Sequence, residues 1–190
     1  MTPEAHHQMK LGHAHLKVRD LPRATAFYTN FLGLSVTEMV GNQYAFLSDG
    51  SRHHTIALQN VGADAPTPGR YMTGLYHVAF EVADKTDFAS ALQKLRGAGV
   101  QVNPVDHLIS WAMYFTDPDG NGLEIYVDTR SEPDGASLWN GVNAKIEFES
   151  PLPKSRATVR GIRFDSHGCA VGEDLRLLRD SKAINTFELF

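Results

Sequence analysis

Displaced by 64 positions, residues 13–36 fall on a second copy of their own pattern. His13 lands on His77, Leu16 on Phe80, Val18 on Val82, Asp20 on Asp84, Gly33 on Gly97 and Val36 on Val100. The apolar triads 14/16/18 and 78/80/82 coincide as well. One offset running through a strand, a helix cap, a helix end and the next strand marks a duplicated supersecondary unit. In each copy an alternating strand leads to an aspartate that can cap a helix, and a glycine can close that helix. In the first copy Pro22 stands in the first turn, where its missing N–H costs nothing.

Two strand-like runs follow the first helix, QYAFLS at 43–48 and HHTIAL at 53–58, separated by the turn signal Asp49-Gly50. After a Gly/Pro-rich linker at 61–72 the second copy ends in DHLISWAMYFTDPDGNGLEIYV. This reads as two strands around the turn Asp117-Pro118-Asp119-Gly120-Asn121-Gly122. The reading is an α+β fold: paired βαβββ modules, about 11–60 and 73–128, form a curved mixed sheet around a metal cavity. Residues 1–10 are a lead-in, 11–130 the paired-module domain and 131–190 a C-terminal extension. In that extension Lys145 to Phe148 is strand-like, Leu175, Leu177 and Leu178 fit a short helix near 172–182, and His167 beside Cys169 reads as loop.

Strand parity gives the histidines their weight. The first strand keeps Ala14, Leu16 and Val18 on one face, so His13, His15 and Lys17 share the other. His77 and Glu81 do the same in the second copy. On the last strand Leu123, Ile125 and Val127 oppose Gly122, Glu124 and Tyr126, which puts a carboxylate where strand propensity disfavours one. Two histidines and one carboxylate on three strands are the donors of a facial metal triad with open positions. The remaining composition excludes more than it indicates. A net charge of −4 argues against nucleic acid and anionic membrane as partners. One cysteine, Cys169, rules out an internal disulfide framework. No run reaches the apolar length of a membrane span, and the expected location is the cytoplasm.

The motifs LGHAHLKVRDLPRATAFYTNFLGL, LYHVAFEV and FTDPDGNGLEIY together resemble the vicinal oxygen chelate superfamily. That superfamily contains glyoxalase I, the fosfomycin-resistance thiol transferases and the type I extradiol dioxygenases. The resemblance covers about residues 10–128 and implies that His13, His77 and Glu124 bind one divalent metal. Glyoxalase I adds a carboxylate on the last strand of the first copy, and residues 50–63 here contain no Asp or Glu. The extradiol branch fits further. HTIAL resembles the segment bearing one of its acid–base histidines, which maps onto His54. DHLISWAMYF resembles the segment bearing a second histidine and a tyrosine, which map onto His107 and Tyr114.

The resemblance therefore implies an Fe(II)-dependent dioxygenase that cleaves a catechol-type diol with O₂, with Mn(II) as the alternative metal. His54, His107 and Tyr114 would handle its protons. A homo-oligomer is expected. The alternatives are a Mn(II) thiol transferase, which needs an anion pocket for which Lys17, Arg19 and Arg52 are the nearby cations, and a glyoxalase-like or metal-free protein that binds aromatic ligands. His53 has the opposite strand parity from His54, so one of the two is expected to face the metal. Phe46 and Trp111 are expected in the core.

Overall fold

The computed structural model describes residues 9–69, 71–146, 163–164 and 170–171. The chain divides into two compact units: one takes the residues up to 65 apart from 30–32, and the other takes 30–32 and the residues beyond 65. Each unit is built around one four-stranded mixed sheet.

In the first unit β1 (Ala14–Val18) leads into α1 (Leu21–Leu32), then β2 (Ser35–Val40), β3 (Tyr44–Ser48) and β4 (Ile56–Asn60). The sheet order is β1-β4-β3-β2, with β1 and β4 parallel and the other pairs antiparallel. The Asp20 side chain caps α1 by accepting from the Arg23 N–H at 2.9 Å. Gly33 closes the helix in the left-handed region at φ 69. Leu21, Ala24, Phe27 and Tyr28 recur at helical spacing and are buried, as are Leu16, Val18, Leu47, Ile56 and Leu58 of the sheet. The opposite sheet face carries His15, Lys17, Tyr44, Phe46 and Glu38.

The second unit repeats the plan with β5 (Val78–Glu81), α2 (Lys85–Gly97), β6 (Asn103–Asp106), β7 (Ser110–Thr116) and β8 (Gly122–Asp128). The order is β5-β8-β7-β6, again with the first pair parallel. Asp84 caps α2 by accepting from the N–H groups of Thr86 at 2.7 Å and Asp87 at 2.9 Å. Phe88, Leu92 and Leu95 are buried on α2, and Met113, Phe115, Leu123, Ile125 and Val127 are buried on the sheet. Trp111 departs from the expected core placement: it is half-buried, with Phe88 at 6.1 Å and Lys85 Nζ 4.2 Å over its ring. A two-stranded antiparallel ribbon joins β9 (Arg163–Phe164) and β10 (Ala170–Val171).

Four local expectations differ. The strand expected at 53–58 is β4 at Ile56–Asn60, because its register follows the parallel pairing of Ala14 with Ile56. His53 and His54 therefore lie in the preceding loop, and strand parity does not apply to them. Gly97 is the last residue of α2, not its cap: Gly99 takes the left-handed conformation at φ 78 while Val100 N–H closes on Leu95 O at 3.0 Å. That longer helix end leaves Val100 outside any strand. The spacing between copies accordingly grows from 64 at the first strand (Ala14 to Val78) to 67 at the last (Ile56 to Leu123). Lys145 and Ile146 are not in a strand, and only Ala144 bridges to Asp106. The rest of that run, the expected helix near 172–182, His167 and Cys169 lie outside the described residues.

Candidate metal centre

The second unit brings four of the expected site residues into one line of neighbours. His77 stands just before β5, and the β5–β8 register pairs Ala79 with Glu124, which puts His77 and Glu124 on the same face. Gly122 permits their approach. A Cβ there would collide with the Tyr76 carbonyl and sit 3.3 Å from the His77 Cα. His77 Nε2 meets Glu124 Oε2 at 2.9 Å. Tyr114 is directly opposite Glu124 across β7 and β8. Its hydroxyl lies 2.8 Å from His107 Nε2, and Glu124 is near enough for its charge to act on the phenol.

Glu124 is only 8% exposed, so it is not the solvated strand carboxylate that its residue type alone would suggest. Burial, then the charge and hydrogen bond of Glu124, push the Tyr114 phenol well above its usual value of 10.0. It is therefore a protonated donor at neutral pH.

His107 sits in the tight turn between β6 and β7, whose next residue, Leu108, takes the left-handed region at φ 66. That conformation costs a non-glycine residue roughly 1–2 kcal/mol. It is held locally by the Asp106 carboxylate, which accepts from Leu108 N–H at 2.7 Å. The turn after β7 is tied by Asp117, whose carboxylate accepts from the N–H groups of Asp119 at 2.8 Å and Asn121 at 2.9 Å.

The first unit gathers a second set. The rings of His13 and His54 are 4.5 Å apart, and Phe46 lies 5.0 Å from His54. His53 and His54 face each other through Nδ1 atoms 2.9 Å apart, so one of the two nitrogens donates and the other accepts. His53 Nε2 reaches Glu38 at 3.3 Å. Desolvation, then the neighbouring imidazoles of His13, His53 and His15, hold His54 below its ordinary pKa of 6.5. Arg52 anchors this loop to the residues before His13, donating to the carbonyls of Leu11 at 3.1 Å and Gly12 at 2.9 Å. His15 turns to Tyr44 at 6.0 Å.

The donors fit a divalent metal. Imidazole nitrogens and a carboxylate suit a borderline first-row ion. Two donors each about 2.1 Å from one ion, at right angles, stand about 3 Å apart. The His77–Glu124 separation matches that spacing. His77 Nδ1 is buried with no hydrogen-bond partner among the described residues. Among the described residues no three His, Cys, Asp or Glu side chains already form a metal-holding group, and His13 belongs to the other unit.

The β1–β4 register also sharpens the missing fourth ligand. Where β8 has Glu124, β4 has Ala57, buried and apolar. Phe46 departs from its expected core placement, lying half-buried beside His54, and sequence reasoning missed Glu38 in the first unit and Asn143 and Trp139 beside His107. Only the His53-His54 doublet carried a signal toward them.

Residues 10–125 match the sequence profile of the Glyoxalase/Bleomycin resistance protein/Dioxygenase superfamily, and the chain belongs to that superfamily. Among its relatives, the catechol-2,3-dioxygenase of Bacillus subtilis (strain 168) is 37% identical over 123 residues. The match covers 65% of this chain and 43% of that protein, so the chain spans less than half of this relative's length. The glutathione transferase FosA of Serratia marcescens is 32% identical over 62% of this chain and 79% of its own. Of solved structures, the glyoxylase/bleomycin resistance protein/dioxygenase domain from Frankia sp. EAN1pec superposes with a TM-score of 0.54 at 26% identity. It covers 64% of this chain and 98% of that one. Among the described residues no helix is long and apolar enough to cross a membrane.

Proposed function

We propose that the chain is an extradiol dioxygenase: it cleaves a catechol-type ring beside its two hydroxyls and adds both atoms of O₂ to the product. The observation that carries this is the line His107–Tyr114–Glu124–His77, a proton-handling pair ending on a carboxylate–imidazole pair. The likeness to a catechol-2,3-dioxygenase supports it. His13, His77 and Glu124 would hold the metal, Fe(II) or Mn(II). Such a metal supplies redox chemistry that lets triplet O₂ react with a closed-shell diol.

The chain's own groups do the rest. His107 takes up a proton released by a diol hydroxyl on binding, relayed through the Tyr114 hydroxyl. Tyr114 passes one proton on as it takes up the other and so stays a phenol, because burial and Glu124 disfavour the phenolate. His54, held below its ordinary pKa and beside His13, would serve as the second acid–base group. Phe46 and Tyr44 supply aromatic surface next to it. The partners would be a small aromatic diol and O₂, and the chain a cytoplasmic homo-oligomer in which residues 131–190 extend the domain of residues 11–130.

The test is anaerobic loading with Fe(II) or Mn(II), followed by a panel of catechols and air. The expected result is the strong visible absorbance of a ring-opened semialdehyde; its absence across the panel rejects the reading. Thiol transfer is a second reading, favoured by the likeness to a glutathione transferase. It needs cations free to hold an anion, whereas the Arg52 guanidinium is engaged by two backbone carbonyls. Consumption of glutathione with fosfomycin, in place of ring cleavage, would establish it.

A further inference from the structure

The residues that follow β8 return to the turn that carries His107. Thr129 N–H donates to the Ile109 carbonyl at 3.0 Å, and Ala136 N–H donates to the Leu108 carbonyl at 2.8 Å. Asp106 and Ala144 exchange both backbone hydrogen bonds, at 3.0 and 2.8 Å. Gly135 is required along this path, since a Cβ there would collide with the Thr129 carbonyl. Lys85 at the start of α2 pairs with Glu132, fastening the same stretch from another side. Four backbone hydrogen bonds at the turn, on both sides of His107, and the Lys85–Glu132 pair make residues 129–144 a strap around one functional side chain.

The strap also reaches the imidazole. Asn143 Oδ1 lies 2.7 Å from His107 Nδ1, and the Trp139 ring stands edge-on to His107 at 5.7 Å. The orientation of the Asn143 amide is favoured by a third group. Trp139 Nε1 can only donate, and it points at Asn143 Oδ1 at 3.2 Å while also reaching the Val142 carbonyl at 3.1 Å. With the Asn143 oxygen toward both Trp139 and His107, an acceptor faces Nδ1 and favours a proton there.

In a neutral imidazole that leaves Nε2 as a lone pair, and Nε2 is the atom 2.8 Å from the Tyr114 hydroxyl. The Tyr114 proton has two acceptors within reach, His107 Nε2 and Glu124. With Nε2 unprotonated the hydroxyl can give its proton to the histidine and leave Glu124 its lone pairs. With Nε2 protonated the hydroxyl must accept from His107, and its proton goes to Glu124.

We propose that Asn143, oriented by Trp139, is a positioning residue that fixes His107 as the Nδ1–H tautomer, and that residues 129–144 thereby belong to the functional centre. What His107 accomplishes rests on the ring-cleavage reading; its tautomer does not.

The experiment uses the full chain with ¹⁵N-labelled histidine, exchanged into diamagnetic Zn(II) and held above the titration of His107. Long-range ¹H–¹⁵N spectra distinguish the two tautomers, and His107→Gln identifies the resonances by deleting them. The wild type is expected to show Nδ1–H at His107. Asn143→Leu should move it to Nε2–H or a mixture, and Asn143→Asp, which keeps an acceptor at the same place, should hold Nδ1–H. If Asn143→Leu does not fold, Trp139→Phe keeps the aromatic ring and removes the donor, and it should loosen the same preference.

A wild type with Nε2–H, or a tautomer unmoved by Asn143→Leu or by Trp139→Phe in its place, overturns the proposal. Where ring cleavage is observed, Asn143→Leu should lower kcat about tenfold with little change in KM, Asp restoring part of it. A wild type that holds Nδ1–H and responds as described, yet cleaves no catechol, keeps the positioning role and rejects the ring-cleavage reading instead.

Discussion

The two modules share a topology and differ in what their second sheet faces carry. In both, a parallel strand pair sits beside two antiparallel strands, and an aspartate-capped helix stands between the first two strands. At the same cross-strand place, β7 and β8 oppose Tyr114 to Glu124, while β3 and β4 oppose Phe46 to Ala57. One pair is a phenol and a carboxyl group, the other two apolar groups. The duplicated fold is carried by the buried residues on the helix side, so the other face was free to diverge. The difference teaches that both modules carry histidines on this face, and only the second sets a phenol and a carboxyl group beside them.

That asymmetry is broken most severely at Glu124. Glu124→Ala should remove the one carboxylate of the proposed triad, cutting metal content of protein purified without oxygen by more than about tenfold. Ala at position 57 already shows that the fold accepts an apolar residue at the equivalent place. A variant that folds and retains its metal would end the assignment of Glu124 as a ligand.

A reciprocal exchange sharpens the comparison. Tyr114→Phe gives the second module the character of the first and should lower kcat by about 10²–10⁴-fold, the usual worth of a positioned proton donor. His107→Gln should fall in the same range. Phe46→Tyr, the reverse change in the first module, should cost less than about tenfold, since His54 already has His53 as its partner. Equal losses in the two directions would show that the modules are not chemically distinct.

The approach of strand and lead-in also differs between copies. Gly122 in β8 has its counterpart at Thr55, just before β4, where a β-branched side chain is accommodated. Gly122→Ala should destabilise the protein by about 1–3 kcal/mol and part His77 from Glu124. Chemical denaturation reads the first effect and metal affinity the second. Thr55→Ala should change metal affinity little.

Much of this was legible from sequence because the strongest signals are local. Asp20 and Asp84 announce two helix starts, and Asp117 to Gly122 announces a turn through residues whose own side chains close it. Parity on β8 separated Glu124 from Leu123 and Ile125 before any contact was known. The misses were set by distant partners. His53 and His54 look like strand residues, yet β4 starts where β1 meets it. The residues added after α2 moved Val100 out of the sheet, which a constant offset cannot show. Asn143 and Trp139 had no second copy to be compared with, and their role depends on a chain that leaves β8 and folds back on β6.

The smallest expected effect lies in two aspartates at equivalent hairpins. Asp49 follows β3, and Asp117 follows β7. Asp49 is exposed, and hydrogen bonds from the Ser51 hydroxyl and N–H hold its carboxyl below 3.8. Asp117 is buried, and desolvation raises its carboxyl above 3.8 despite the bonds from Asn121 and Asp119. The two linkages have opposite signs. The Asp49 contribution to stability is present above 3.8 and is lost as pH falls through its depressed value. The Asp117 contribution is fully present below 3.8 and is lost as pH rises through its raised value. In a ¹³C carboxyl titration Asp49 should therefore deprotonate first as pH rises and Asp117 last. The reverse order would mean that the Asp117 hydrogen bonds outweigh its burial, and that the two turns are electrostatically alike after all.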